Sequence, residues 1–413
     1  MGTEPEISLK LRPIELVVLQ GTSFCNLNCT YCDLSVESRR KRSIMPAEVL
    51  DAFFTQLFES GLASSNVLVT WHSGEPLTLP VSYYQEAIGR ILALRNAHGA
   101  ERISLRFDFQ TNGVLISDAW CDFFRDNSHI VDLGVSCDGP AELHDRYRVN
   151  WSNRATLDQT LRGMDMLEAA GVKYNVIAVV TKQTLAQVDA FFDFFCRRGE
   201  TLSGFHFNIL AEAVSGDANL SYDSDDRDEY YAFYRRLLDL SRSSHERGGT
   251  FKIRNFAHTL GRILRVQAGD APDYVEETSA PLRTVNLDAN GDVTTFYAGL
   301  GPEVAPALYG DGRGLSLGNI RSQSLLAMAS SEKLRRIHRD FSASQRACKK
   351  ACEYYPVCTG GFELTQKQRY GAFNGAVTSE CVIHVQALVD ALLDDIGEHI
   401  ERSTAREQTS EVE

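Results

Sequence analysis

The chain has 413 residues, ten cysteines and a formal net charge of −13, and 43% of its residues are hydrophobic. That apolar share supports a large core and is too high for a disordered chain, while the acidic balance excludes the basic footprint of a nucleic-acid binder. No apolar run reaches bilayer length, and the polar, charged stretch Met1–Pro13 is no secretory signal, so a cytoplasmic protein that binds no membrane is expected.

In chain order, strand-like apolar runs fall at Ile14–Gly21, Val67–His72, Ile103–Phe109, Val131–Ser136, Tyr174–Thr181 and Gly204–Ile209. Between them the helical period predicts helices over Pro46–Ser60, Ser82–Ala97, Asp118–Asn127, Ala155–Ala170 and Leu185–Arg198. Strands that alternate with helices imply parallel strands joined by right-handed crossovers, hence an open or closed α/β barrel over residues 14–245. A helix is expected over Asp223–Ser241, and 246–277 reads as a linking segment. Val285–Ala289, the Asn290-Gly291 pair and Asp292–Tyr297 read as a β-hairpin. Val382–Arg402 reads as a closing helix, with 403–413 a disordered tail.

Seven of the ten cysteines are clustered, and in a reducing compartment that pattern points to metal binding rather than disulfides. Cys25, Cys29 and Cys32 follow the first strand with three and two residues between them. Three thiolates can hold one face of an iron–sulfur cube and leave the fourth iron open, as a catalytic metal requires. The competing reading is a zinc knuckle completed by His72. Cys121, Cys137 and Cys196 are isolated and read as core residues.

The next three strands also end in polar segments: His72-Ser73-Gly74-Glu75-Pro76, Gln110-Thr111-Asn112-Gly113 and Ser136-Cys137-Asp138-Gly139-Pro140, the last followed by His144, Asp145 and Arg148. Singly, each could be a strand-to-helix turn. Parallel α/β barrels gather their strand C-termini on one face, so the three segments are expected to converge on the cysteine loop, with His72, Gln110 and Asn112 lining a substrate pocket.

The C-x3-C-x2-C spacing with Tyr31 before the last cysteine resembles the radical S-adenosylmethionine superfamily. That resemblance implies a partial (β/α)6 barrel of TIM type, a catalytic [4Fe–4S] cluster on Cys25, Cys29 and Cys32, and S-adenosylmethionine as cofactor, cleaved reductively to a 5′-deoxyadenosyl radical that abstracts a substrate hydrogen. Ser73-Gly74-Glu75-Pro76 resembles the GGEP motif, with Ser73 in place of its first glycine. Tyr31, Ser73, Gly74, Glu75, Ser136 and Arg148 are then the expected cofactor contacts. Glu75 would meet the amino group, Ser136 the ribose and Arg148 the methionine carboxylate.

A second set reads Cys348-x3-Cys352-x5-Cys358-x22-Cys381. Its spacing alone leaves zinc and a second iron–sulfur cluster equally open. The segment is similar to the C-terminal auxiliary-cluster domain, of SPASM type, in radical peptide maturases, which implies an auxiliary [4Fe–4S] cluster on these four cysteines and a domain over 278–402. Ile14–Gln20, Trp71–Pro76, Asn290-Gly291, Gly318-Asn319 and Glu380-Cys381 extend the likeness to the GRRM-type branch. That branch joins a side-chain β-carbon to an aromatic ring, forming three-residue cyclophanes in a ribosomal precursor peptide. The sequence departs from it at Asp33, at Thr359 within the Cys-Gly-Gly-Gly run and at Phe296–Gly299. Alternatives are thioether formation, epimerisation, Cys or Ser dehydrogenation as in sulfatase maturases, and a non-catalytic iron–sulfur or zinc protein that transfers electrons or scaffolds a complex. Sulfatase maturases carry two auxiliary clusters, whereas Thr278–Ile320 contains no cysteine.

A reducing donor of flavodoxin or ferredoxin type is the implied second partner. The run Arg39-Arg40-Lys41-Arg42 reads as a solvated loop, with contact to an acidic leader peptide as the alternative. No separate leader-binding domain is expected before Ile14. Asp108, Asp138 and Glu212 are open as the catalytic base, and His206 and Asn208 are placed on the sixth strand without a face.

Overall fold

The structure is a computed structural model that describes residues 11–209, 222–269, 280–296 and 305–410. Its strands are β1 (Ile14–Leu19), β2 (Ala63–Trp71), β3 (Ser104–Thr111), β4 (Val131–Ser136), β5 (Tyr174–Val180), β6 (Leu202–Ile209), β7 (Thr284–Leu287), β8 (Asp292–Thr295) and β9 (Gly318–Asn319). Helices separate β1 to β6, which is the alternating α/β pattern expected from the sequence. Two compact units emerge. The first takes the described residues within Met1–Ser136, Arg148–Tyr174 and Val275–Arg346, the second those within Cys137–Tyr147, Asn175–Tyr274 and Ala347–Glu413.

In the first unit the strands lie in the order β4-β3-β2-β1-β7-β8-β9. β1 pairs in parallel with both β2 and β7, and β2–β3 and β3–β4 are also parallel. Leu19 lies opposite Trp71, Trp71 opposite Phe109, and Thr111 opposite Val135, so the strand C-termini finish level. β3 shows why this sheet forms. Its Leu105, Phe107, Phe109 and Thr111 are buried on one face. There Phe109 packs 4.9 Å from Trp71 and 4.8 Å from Tyr84 on helix Val81–Ala97, and meets Phe124 on helix Asp118–Asp126. Each such ring contributes about 1.5–3 kcal/mol of burial. Alternation puts Asp108 and Gln110 on the opposite face.

The second unit repeats the logic on a smaller scale. Phe205, Phe207 and Ile209 of β6 are buried, and Phe205 packs 4.6 Å from Phe195 on helix Val188–Cys196. His206 and Asn208 therefore share the opposite face of β6. Helices Arg227–Glu246 and Ala387–Ser410 run side by side, with Arg227 on Asp390, Tyr231 on Asp394 and Arg235 on Glu398. The Tyr234 hydroxyl also donates to the Ile383 carbonyl, at the start of the same closing segment.

Several elements differ from expectation for local reasons. The helix expected at Leu185–Arg198 is two pieces, Lys182–Leu185 and Val188–Cys196, because Thr181 and Thr184 cap the first piece as a separate start. Helix Val36–Arg40 forms where a loop was expected, begun by Ser35 Oγ accepting from the Ser38 N–H. The segment read as a linker carries helix Arg254–Gln267. The hairpin expected to open a separate domain at residue 278 extends the first sheet instead, because β7 hydrogen-bonds β1 along its length. The closing helix runs to Ser410, past its expected end at 402, since neither glycine nor proline interrupts 398–410. Among the described residues no helix is long and apolar enough to cross a membrane.

One close approach is decisive for the face that carries the site. A Cβ on Gly163 of helix Leu157–Ala169 would lie 2.2 Å from the Gly113 carbonyl oxygen, in the turn after β3. Gly163→Ala would gain about 1 kcal/mol of helix propensity, yet the clash with fixed backbone should leave the protein about 1–3 kcal/mol less stable. Denaturant unfolding should show a lower midpoint, and an unchanged midpoint would refute the packing.

Candidate functional site

The Cys25–Cys32 loop leaves β1 and is held by backbone on both sides. The Cys25 N–H donates to the Arg39 carbonyl at 3.0 Å, and the Asn28 N–H to the Val149 carbonyl at 2.7 Å. Trp151 Nε1 donates to the Cys25 carbonyl at 2.9 Å. Arg39 is buried and donates to the Leu34 carbonyl and to Asn28 Oδ1, both at 3.0 Å. The expected solvated loop at Arg39–Arg42 is therefore corrected at Arg39, whose carbonyl and guanidinium both hold the loop. All three thiols are half-buried. Desolvation pushes the Cys25 thiol well up, and Cys32 up more mildly because Arg39 and Arg148 favour its thiolate. Three soft donors on one short loop fit an iron–sulfur cube that keeps one iron open.

The second segment packs directly on this loop. Gly74 has φ +75°, and a Cβ there would lie 2.4 Å from the Thr22 carbonyl oxygen. The Glu75 N–H donates to the Phe24 carbonyl at 2.8 Å. The Glu75 side chain is 1% exposed. Its Oε1 accepts from Thr111 Oγ1 at 2.6 Å and the Leu77 N–H at 3.0 Å, and its Oε2 accepts from the Asn112 N–H at 2.8 Å. Burial raises its pKa against the lowering effect of these three donors. The carboxylate so clamps the ends of β2 and β3 together. Asn112 then reaches the cysteine loop, donating from Nδ2 to Asn26 Oδ1 at 2.7 Å.

The other expected residues divide into two groups. Arg148 is buried with its guanidinium 5.5 Å from the centre of the Tyr31 ring, and its carbonyl accepts from Thr156 Oγ1 at 2.6 Å. Both belong to the cysteine-loop neighbourhood. Gln110 Nε2 donates to Ser136 Oγ at 3.3 Å across Gly134, where a Cβ would lie 2.2 Å from Gln110 Oε1. His72 is exposed and its Nδ1 lies 3.2 Å from Ser73 Oγ. Asp108 accepts from Thr70 Oγ1 at 2.8 Å. In the second unit Asp138 accepts from the Val179 N–H at 2.9 Å, which makes it a turn-holding residue. Glu212 and the Tyr297–Gly299 stretch lie outside the described residues. Sequence reasoning missed Thr111, Asn26, Arg39 and Trp151 as site builders. Trp151 left no signal, being 126 positions from its partner.

The second cysteine set lies wholly in the second unit. Cys348, Cys352, Cys358 and Cys381 line one cavity with Tyr354, Tyr355, Gly360, Gly361, Ala376, Val385 and Gln386. Cys348 lies in the last turn of helix Glu332–Ala351 and Cys352 directly follows it, Cys358 ends the turn Tyr355–Cys358, and Cys381 opens a π-helical turn, Cys381–Gln386. Such turns recur at functional sites because the wider coil re-aims side chains. Three sulfurs already have donors: Gln366 Nε2 on Cys348 at 3.3 Å, Thr378 Oγ1 on Cys381 at 3.4 Å and Gln386 Nε2 on Cys352 at 3.9 Å. Among the described residues no three Cys, His, Asp or Glu side chains are grouped for a single metal ion. Four thiols spread around a cavity, with amide and hydroxyl donors to sulfur, fit a closed multi-iron site. Cys121 and Cys137 are buried in the core as expected, and Cys196 is half-buried with its Sγ 3.3 Å from Ser244 Oγ.

Two of the departures from the resembled motifs fall on left-handed backbone. Ser73 has φ 71° and Thr359 φ 62°, where a glycine would be unstrained. Ser73→Gly and Thr359→Gly should each stabilise their unit by about 0.5–1 kcal/mol, offset in part by greater unfolded-state entropy. Gly74→Ala should instead cost about 2–3 kcal/mol through strain and clash. Thermal unfolding in the reduced apoprotein checks all three, and a neutral Gly74→Ala would refute the packing of this loop.

Residues 19–195 match the Radical SAM superfamily. An uncharacterized protein of Synechocystis sp. is 29% identical over 389 residues, covering 94% of this chain and 93% of that protein. A serine-type anaerobic sulfatase-maturating enzyme of Bacteroides thetaiotaomicron is 28% identical over 368 residues, covering 84% and 82%. In fold, the chain is similar to the structure of native anSMEcpe with bound AdoMet and Cp18Cys peptide, with a TM-score of 0.73 at 20% identity over 94% of this chain and 99% of that one.

Proposed function

We propose that this chain, a radical SAM enzyme through residues 19–195, modifies a ribosomally made precursor peptide by joining an aromatic ring to a side-chain β-carbon. The observation that carries the reading is the pair of thiol sets: an open set of three at the strand ends and a closed set of four around one cavity. Bound together, the cluster and S-adenosylmethionine supply the hydrogen-abstracting radical. The rest is work for the protein. Cys25, Cys29 and Cys32 hold the catalytic cluster. Tyr31, Ser73, Gly74, Glu75, Ser136 and Arg148 form the S-adenosylmethionine site, with Glu75 fixing the loop that receives the amino group and Arg148 facing the carboxylate. Cys348, Cys352, Cys358 and Cys381 hold the auxiliary cluster.

A second reading, dehydrogenation of a Cys or Ser side chain, is favoured by the likeness to a sulfatase-maturating enzyme across most of both chains. Cysteine arithmetic supports the crosslink instead. Outside the two sets only Cys121, Cys137 and Cys196 remain, too few and too scattered for a second auxiliary cluster.

Anaerobically reconstituted protein should hold about eight irons per chain, falling to about four when Cys25, Cys29 and Cys32 are all changed to Ala. Cys29→Ala should abolish 5′-deoxyadenosine formation from S-adenosylmethionine under dithionite. If the wild-type protein forms none, even with peptide present, the radical reading fails. A co-expressed precursor should lose two hydrogens and resist fragmentation between the bridged residues. An aldehyde that reacts with a hydrazide probe would establish dehydrogenation instead.

A further inference from the structure

We propose that the exposed Arg40–Arg42 face is the docking surface for the acidic one-electron donor protein that reduces the centre held by the cysteine loop; the inference rests on the radical reading above. Arg40 and Arg42 are exposed, and each lies over an aromatic ring: Arg40 4.7 Å from the centre of Trp151, Arg42 4.5 Å from the centre of Phe24. Lys41 is offset by Glu37 at 3.7 Å, and Asp33 is the other exposed acid of this loop. Arg154 adds an exposed cation on the turn that presents Trp151.

Both aromatic supports belong to the cysteine loop or bond to it. Phe24 immediately precedes Cys25, and Trp151 donates to the Cys25 carbonyl. The Arg39 carbonyl, at the start of the basic run, accepts from the Cys25 N–H. A partner seated on Arg40 and Arg42 is thus seated within one hydrogen bond of the first cysteine. An electron must come from outside the chain at this loop, whereas a peptide leader has no physical need of it.

Charge supports an acidic partner. The chain carries −13 overall, and against that background the exposed Arg40, Arg42 and Arg154 give the cysteine-loop edge a local positive field that attracts an acidic donor. Stacking on aromatic rings holds the guanidiniums in place at low entropic cost, and Arg with Trp is the composition of interface hot spots. The step itself is a single electron leaving the donor's reduced flavin or cluster, which is oxidised by one electron, with no bond made or broken at the interface.

The test uses the reconstituted holoenzyme and an acidic flavodoxin reduced to its hydroquinone as the probe. In Arg40→Glu/Arg42→Glu, flavodoxin-driven 5′-deoxyadenosine formation should fall about tenfold, and flavodoxin affinity by titration should weaken similarly. The dithionite-driven rate should be unchanged, and wild-type flavodoxin binding should weaken as salt rises. Unchanged flavodoxin binding in the variant overturns the proposal. So does an equal fall in the dithionite-driven rate, which would mark a structural role, or a loss of peptide affinity with the flavodoxin-driven rate intact, which would mark a leader-binding face. A wild-type protein that binds flavodoxin but forms no 5′-deoxyadenosine under dithionite would refute the radical reading and leave the docking surface standing.

Discussion

The site in the first unit depends on one buried carboxylate. Glu75 is removed from water, an arrangement that costs several kcal/mol unless the charge is answered. Thr111, Asn112 and Leu77 answer it with three hydrogen bonds. Those bonds tie the turn after β2 to the turn after β3, and the Glu75 N–H ties both to the backbone before Cys25. Three chain segments far apart in sequence become one rigid edge. A site that must place a reactive group within a fraction of an ångström needs such an edge.

Close backbone approach is the second device. Gly74 rests on the Thr22–Phe24 backbone, and Gly163 rests on Gly113. Neither position tolerates a Cβ, so the loops and the helix behind them seat at backbone contact distance. Hydrogen bonding through Asn112 and Asn26 then carries that rigidity into the cysteine loop. The second unit solves its own problem differently. Its four cysteines come from one helix end, a short turn and a π-helical turn, and Gly360 and Gly361 at positive φ line the cavity without side chains.

Much of this was legible in the chain. Apolar runs separated by amphipathic stretches place six strands within a few residues, because side chains repeat every two residues along a strand and every 3.6 along a helix. The two cysteine sets and the Ser73–Glu75 and Gln110–Gly113 segments were legible for a chemical reason: thiolates, carboxylates and glycines are costly where they have no work. The basic run misled because charge alone predicts exposure. Arg39 is buried since its guanidinium finds the Leu34 carbonyl and Asn28, partners supplied by a loop that only forms when the chain is folded.

The sequence by itself determined the alternating α/β layers, the two thiol sets and the polar strand ends, since each follows from local period or from residue chemistry. Tertiary structure alone decided that Glu75 acts first as a clamp, that Trp151 braces Cys25 and that the β7–β8 hairpin extends the β1 sheet. It also decided that Ser73 and Thr359 occupy left-handed backbone. All of these are pairings across long sequence separations or conformations imposed by neighbours. A one-dimensional pattern records a residue's chemistry but not the direction from which its partner arrives.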